Sequence, residues 1–334
     1  MSRWGDFRRA VSSVADAVAG GIAVAVNTIG EPASDIVETV GHALQDGVEN
    51  IAAAAGHIPG AGGVIRGIIR WLAGAISGVF DFAGAVVKAA LGAVGGALGG
   101  VIRLVGGILS LHGTLIGRGL GDIVSSLLAA VVLPAGKAIA LVQTVLFIQT
   151  VERRLTSAEM AILKRVFRGS VAFYNVRLVI GRCGVFGINP RPFTLGSTIY
   201  MKGVDPAVEP FTLVHENTHS WQYQHVGARY ATDALGAQFF VEDAYNWEKE
   251  IARGNTAWPQ FNKEAEAQLI EDVYTDGTST AAGATTGNGV FFDADGTTAV
   301  GAFTYNGVNR TDLANSAVAI IRKAWCARLS GLWS

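Results

Sequence analysis

Residues 211–225 read FTLVHENTHSWQYQH, and within them His215, Glu216, Asn217, Thr218 and His219 have the form H-E-x-x-H. On a helix, side chains four residues apart lie on one face, one turn apart. His215 and His219 are thereby spaced to bind a single zinc ion through their imidazoles. Glu216, about 100° around the same helix, is placed to act as general base toward a zinc-bound water, whose pKa the metal lowers toward about 7. The chemistry this pattern offers is hydrolysis of a peptide bond. The apolar FTLV ahead of the motif suits a helix with one buried face.

A catalytic zinc needs a third protein ligand, and two kinds of candidate compete. His225 lies ten residues after His215, the spacing of a third histidine in metzincins. Metzincins, however, carry a glycine three residues after the second histidine, where this chain has Gln222, and no methionine follows to form a Met-turn. If the helix continues, His225 points about 280° away from His215. The alternative is a later glutamate, as in gluzincins. NKEAEAQLIEDVY, residues 262–274, offers Glu264, Glu266 and Glu271, of which Glu264 and Glu271 share a face with Gln268. Glu264 is the preferred ligand, with Glu266 and His225 as alternatives.

Four segments in order, LTSAEMAILKRVF, PRPFTLGSTIYM, FTLVHENTHSWQYQHVGARY and NKEAEAQLIEDVY, resemble the metallopeptidase-like core domain associated with bacterial extracellular contractile injection systems. The resemblance covers roughly residues 153–276. Its third and fourth segments are the most specific, because the tryptophan and glutamines after the second histidine recur in that family. The family is similar to gluzincins, which implies His215, His219 and Glu264 as zinc ligands and Glu216 as the base. Asn217 and Thr218 depart from its pattern at positions that do not face the metal. The resemblance also implies bacterial injection or secretion components as partners.

The elements that must hold these residues are legible around them. Thr156 and Glu159 form a capping box that opens a helix over LTSAEMAILKRVF. YNVRLVIG and FTLGSTIYM read as strands with a turn-forming glycine. The motif helix spans roughly 207–225, and a further helix covers ATDALGAQFFVEDAYNWEKEIARG up to about Gly254. VFFDADGTTAVGAFTY suggests a hairpin, and a last helix covers about 312–330. The expected class is α+β, mostly α. A glycine-rich helical region occupies 1–150, a small zincin-like domain with a short sheet occupies 151–280, and a hairpin and helix at 281–334 pack on that domain.

The first 150 residues are of another kind. The chain has 334 residues, is 50% hydrophobic and 16% charged, and has a mean hydropathy of +0.36. Its 43 glycines crowd between Gly60 and Gly121. Residues 1–150 carry nine Lys/Arg and nine Asp/Glu. Net charge is −1, and no basic stripe predicts a nucleic-acid partner. The opening residues imitate a signal peptide, with Arg8 and Arg9 ahead of an apolar run, but Asp16 breaks that run and no cleavage site follows. An amphipathic helix is expected there, followed by a second through SDIVETVGHALQDGVENIAAAA. Cys183 and Cys326 are expected as separate buried thiols.

From Val64 to Arg118 the chain can be written in elevens, a helical period of about 3.67 residues per turn. Gly67, Gly78, Ala89 and Gly100 fill the fourth column; Arg70, Asp81 and Arg103 fall in the seventh, expected to be solvated. A glycine stripe lets helix backbones approach closely. Two later apolar runs are interrupted by Pro134 and Lys137, and neither reaches the roughly 20 uninterrupted apolar residues of a membrane span. The sequence thus supports a zinc metallopeptidase acting on a protein or peptide substrate. It would be secreted or injected by a bacterial machine without a cleavable signal peptide. Residues 1–150 would serve delivery or contact a lipid membrane. A membrane-active toxin with the zinc domain as a docking scaffold is the alternative, and a structural component of an injection particle is the third reading.

Overall fold

In a computed structural model the chain is described at Glu38, His42, Gln45 and residues 62–110, 112–188, 190–275 and 302–323. It is mostly helical with a small sheet, the α+β class. It divides into two units, one of Met1–Val145 with His225–Thr232, the other of Leu146–Gln224 with Asp233–Ser334.

The first unit is built on two long helices, α1 (Gly62–Ser110) and α2 (Gly113–Val145). They run antiparallel, since Gly78 meets Leu141, Gly100 meets Gly119 and Gly107 meets Ile116. The first four of the five elevens, up to Gly107, fold as one helix, as their period predicts, whereas the fifth is divided between the end of α1 and the start of α2. Pro134 and Lys137 do not interrupt α2. Lys137 turns inward and its Nζ donates to Asp81 Oδ2 at 2.8 Å. The expectation of a solvated seventh column also fails. Columns four and seven are three residues apart, so they share a face, and that face meets α2. Asp81 is buried, and Arg103 pairs with Asp122, which also takes Arg229 at 2.6 Å. Of the three charged residues in that column, Arg70 is the one that is exposed. Glu38, His42 and Gln45 are helical and buried, in phase at i, i+4 and i+7, on the second expected helix. The remainder of that helix, and the first, lie outside the described residues.

The second unit holds the sheet. Strands β1 (Arg153–Arg154), β2 (Arg177–Val179), β3 (Phe193–Leu195) and β4 (Thr198–Tyr200) stand in the order β1-β2-β4-β3. β2 and β4 are parallel and the outer pairs antiparallel. β3 turns into β4 through Gly196, whose φ of 66° is a conformation glycine adopts without strain. Helix α3 (Ser157–Phe167) opens on the expected capping box: Thr156 Oγ1 accepts from Glu159 N–H, and the Glu159 carboxylate accepts from Thr156 N–H.

Helix α4 (Pro210–Val226) carries the motif, followed by α5 (Arg229–Phe240), α6 (Trp247–Ala252) and α7 (Lys263–Tyr274). The single helix expected over 231–254 is thus two. It breaks near Asp243, at φ 53°, and restarts where Asn246 caps α6. The hairpin β5 (Thr304–Tyr305) and β6 (Val308–Asn309) turns through Asn306-Gly307. The hairpin expected from residue 290 lies mostly outside the described residues. Helix α8 (Thr311–Ile321) buries Ala314, Ala317, Val318 and Ile321 in a core with Leu163, Phe167, Leu269 and Val273. Cys183 is buried; Cys326 lies outside the described residues.

Asp272 on α7 accepts from Trp247 Nε1–H and Gln268 Nε2–H at 2.8 and 3.0 Å. Burial nevertheless pushes its carboxyl from 3.8 up to about 6. A folded pKa above the unfolded one means stability that is present below the unfolded value and lost as pH rises through the folded one. Asp272→Asn is therefore expected to gain on wild type between pH 4 and 7, by up to about 3 kcal/mol. Urea unfolding at both pH values measures this, and parallel curves for the two proteins would refute it.

Candidate metal centre

Residues 213–225 of α4 are all buried, so the motif helix is enclosed on every side and not on one face as expected. Most of them are polar, and a polar group buried without a partner costs about 1–3 kcal/mol. Many find partners. Thr218 Oγ1 donates to Val214 O at 2.9 Å, and Gln224 Oε1 accepts from Ala172 N–H at 2.8 Å. Such a helix is a poor choice for packing alone.

His215 and His219 stack edge to face, ring centroids 5.1 Å apart. Helix α7 starts where Asn262 Oδ1 accepts from the N–H groups of Glu264 and Ala265. That cap fixes the first turn and delivers Glu264 to the histidines. Glu264 Oε2 lies 3.6 Å from His215 Nε2 and 3.4 Å from His219 Nε2. Ligand atoms about 2.0–2.1 Å from a tetrahedral zinc stand about 3.3 Å apart. The three donor groups, two imidazoles and a carboxylate, lie within 4.8 Å of one another and fit that ion in number, type and spacing.

The atoms facing away from this centre are held as metal-ligating imidazoles require. His215 Nδ1 is 2.8 Å from Glu271 Oε2, and His219 Nδ1 is 2.8 Å from Gln222 Oε1. Each Nδ1 is thereby engaged, which leaves both Nε2 atoms directed toward Glu264. Gln222 is fixed in turn, its Nε2 donating to Lys263 O and Glu266 Oε2 at 3.0 and 2.8 Å. Glu264 Oε1 accepts from Gln238 Nε2 at 2.8 Å.

Glu216 is held from the sheet. Thr194 Oγ1, on β3, lies 2.8 Å from both Glu216 Oε2 and the Glu216 carbonyl. Burial pushes the Glu216 carboxyl up, against the pull of His215 and His219. Burial would raise Glu264 too, but the two imidazoles beside it hold its carboxyl well below the usual range. One carboxylate is thereby tuned to stay ionised and the other to take a proton. Tyr245 stacks on His215 at 6.0 Å with Arg191 over its ring at 5.3 Å, and burial lifts its phenol to about 12.

The structure thus brings together His215, His219 and Glu264, with Glu216 alongside. The alternatives stand elsewhere. Glu266 is engaged by Lys263 Nζ at 2.6 Å and by Gln222. His225 is buried at the far end of α4, outside the three-residue group. Thr194 lies within PRPFTLGSTIYM but is not singled out there, and Gln238 and Tyr245 come from segments with no motif. Gln222 was visible as the position where a metzincin has glycine and as one of the glutamines after the second histidine, but not as a partner of His219. No family model matches the chain, nor does any curated protein or solved structure.

The ligand set has a direct test. Glu264→Ala should weaken zinc binding at least a hundredfold, Glu271→Gln by about 10–100-fold as for other outer partners, and His225→Ala hardly at all. Competition titration with a chromogenic chelator ranks the three. His225→Ala as the weakest binder would reverse the assignment.

Proposed function

We propose that the chain is a zinc-dependent peptide hydrolase of gluzincin type, with His215, His219 and Glu264 as ligands and Glu216 as general base. The observation that carries the reading is the convergence of both Nε2 atoms on Glu264 Oε2, with Glu216 held beside them by Thr194. Zinc bound there would polarise a substrate carbonyl and ease deprotonation of water near neutral pH.

The chain's own groups do the rest. Glu216 accepts the proton of the attacking water at its carboxylate, and its raised basicity suits the task. Thr194 keeps that carboxylate in place. Glu271 and Gln222 fix the rotation of the two imidazoles. Tyr245, un-ionised at neutral pH, brings an O–H to the His215 side. Among the described residues β3 is the outer strand of its sheet, along which an extended peptide could pair. A substrate running along β3 would pass Thr194 and hence Glu216.

The likeness of residues 153–276 to the injection-system metallopeptidase core supports reading the chain as a bacterial effector carried by such a machine. The test is metal content and hydrolysis. Purified protein should hold about one zinc per chain and cleave members of a peptide library, a chelator should stop cleavage, and added zinc should restore it. Near-stoichiometric zinc in the His215→Ala, His219→Ala double variant would defeat the reading.

A further inference from the structure

The α1–α2 hairpin is built inside out. A helix in water buries its apolar stripe and exposes its charges. On α2 the large apolar residues Leu120, Val124, Leu127, Val131 and Val142 are each at least half exposed. Their spacing, at i, i+4, i+7, i+11 and i+22, makes one continuous stripe. On α1, Val79, Val86 and Val101 are exposed as well. The inner faces hold what water should have: Ser77, Asp81 and Lys88 of α1, with Asp122, Ser126 and Lys137 of α2, are all buried.

Charge placement says what covers the outer faces. Residues 73–93 of α1 and 119–145 of α2 contain four charged side chains, Asp81, Lys88, Asp122 and Lys137, and all four are buried. Asp81 pairs with Lys137 across the hairpin, and Asp122 pairs with Arg103 and Arg229. An interface with a second copy in water would have a charged rim, and these outer faces have none. Asp81, Asp122 and Lys137 turn inward and pair, as ionisable side chains of membrane-inserted helices do. The backbones also touch as such helices do, through Gly100 and Gly119.

Length agrees. Ala73–Ala93 has 21 residues, about 31 Å of helix, against a hydrocarbon core of about 30 Å. Gly113–Val145 has 33, about 50 Å, and only 22% of its apolar window is buried, whereas the central helix of a water-soluble core would be mostly covered. Arg70 and Trp71 mark one end of the pair, and His112 and Arg118 the other.

We propose that the α1–α2 hairpin is a bilayer-inserting element, its valine and leucine faces covered by lipid acyl chains. Anionic lipid is not required for insertion, because the charges within residues 73–93 and 119–145 are turned inward and, among the described residues of the hairpin, only Arg70 and Arg118, at the ends, are exposed charges.

Flotation of the full chain with pure phosphatidylcholine vesicles, followed by carbonate extraction, tests this. Wild type should float and resist extraction. Leu127→Lys with Val131→Lys, both exposed, should cut the extraction-resistant fraction at least tenfold while zinc content and helical circular dichroism stay as in wild type. Arg118→Gln, at the polar end, should float like wild type. Should the double variant not fold, a fluorophore attached at position 131 gives a second reading: it should be quenched by nitroxide placed on the acyl chains and little by nitroxide on the headgroup. Three results would overturn the proposal: wild type that stays with the unbound fraction, with a dimer in sedimentation pointing to a second copy as the cover; flotation that appears only with anionic lipid and is lost in salt; or a double variant that resists extraction as wild type does.

Discussion

Glu216→Gln should lower kcat for peptide hydrolysis by about a thousandfold or more, leaving zinc content and KM close to wild type. Positioned acid–base groups typically contribute 10²–10⁴-fold. Glutamine has the same shape, and its amide oxygen can still accept from Thr194 Oγ1, which is 2.8 Å from the native carboxylate. What the amide cannot do is take a proton. The ligands are untouched, because Glu216 is not one of the three donors that converge. The effect therefore separates proton transfer from metal binding. Zinc analysis and steady-state kinetics on the same preparation measure it. Turnover within tenfold of wild type would place the base elsewhere, and loss of zinc would make Glu216 a structural partner of the site.

The pairing of the two histidines was legible because helix geometry alone relates them, whereas Glu264 stood in the sequence beside Glu266 and His225 as one of several candidates. Four residues put His215 and His219 on one face, and a capped helix brings Glu264 forward on its first turn. The groups that tune the site were not, because tertiary packing brings them. Thr194 lies 22 residues before Glu216 on a strand, Gln238 lies 26 before Glu264, and Tyr245 reaches His215 from the break between α5 and α6. Side chains that act across such distances leave no periodic mark. Glu271 is the intermediate case. Its phase with Glu264 on α7 placed it near the site, but only the fold shows that it serves His215 Nδ1.

In the first unit the period was readable and the polarity was not. Eleven-residue repeats predict a helix, and α1 is one through four of the five repeats, the fifth spanning its end at Ser110 and the start of α2 at Gly113. Which face looks outward depends on the surroundings, and the rule for water was the wrong one for Asp81, Arg103 and Lys137. Each turns toward the partner helix because an opposite charge waits there.

Gly100→Ala and Gly119→Ala should each destabilise the hairpin by about 1–3 kcal/mol net, a large effect for a single methyl group. A Cβ on Gly100 would lie 2.6 Å from Gly119 O and from Ile123 Cγ1; one on Gly119 would lie 2.6 Å from Gly100 O and Leu104 N. Ordinary contacts between such atoms are about 3.5–4.0 Å, and backbone cannot swing aside. Alanine would favour the helix by about 1 kcal/mol in the absence of neighbours, so the steric cost must exceed that gain for the sign to reverse. Gly67 supplies the comparison. Nothing lies within 4 Å of its added Cβ, and Gly67→Ala should be neutral or stabilising. Gly78 falls between, because it meets the tip of the Leu141 side chain at 3.0 Å, which can rotate away. The double variant Gly100→Ala, Gly119→Ala should cost less than the sum of the singles, since either methyl already pushes the same two backbones apart. Unfolding of the full chain followed by helical circular dichroism gives the order Gly67, Gly78, then Gly100 and Gly119, with zinc content as the check that the second unit is intact. Gly100→Ala at or above wild-type stability would mean that the helices do not meet at Gly100 and Gly119, and the contact that holds the hairpin would have to be sought at the Asp81–Lys137 pair instead.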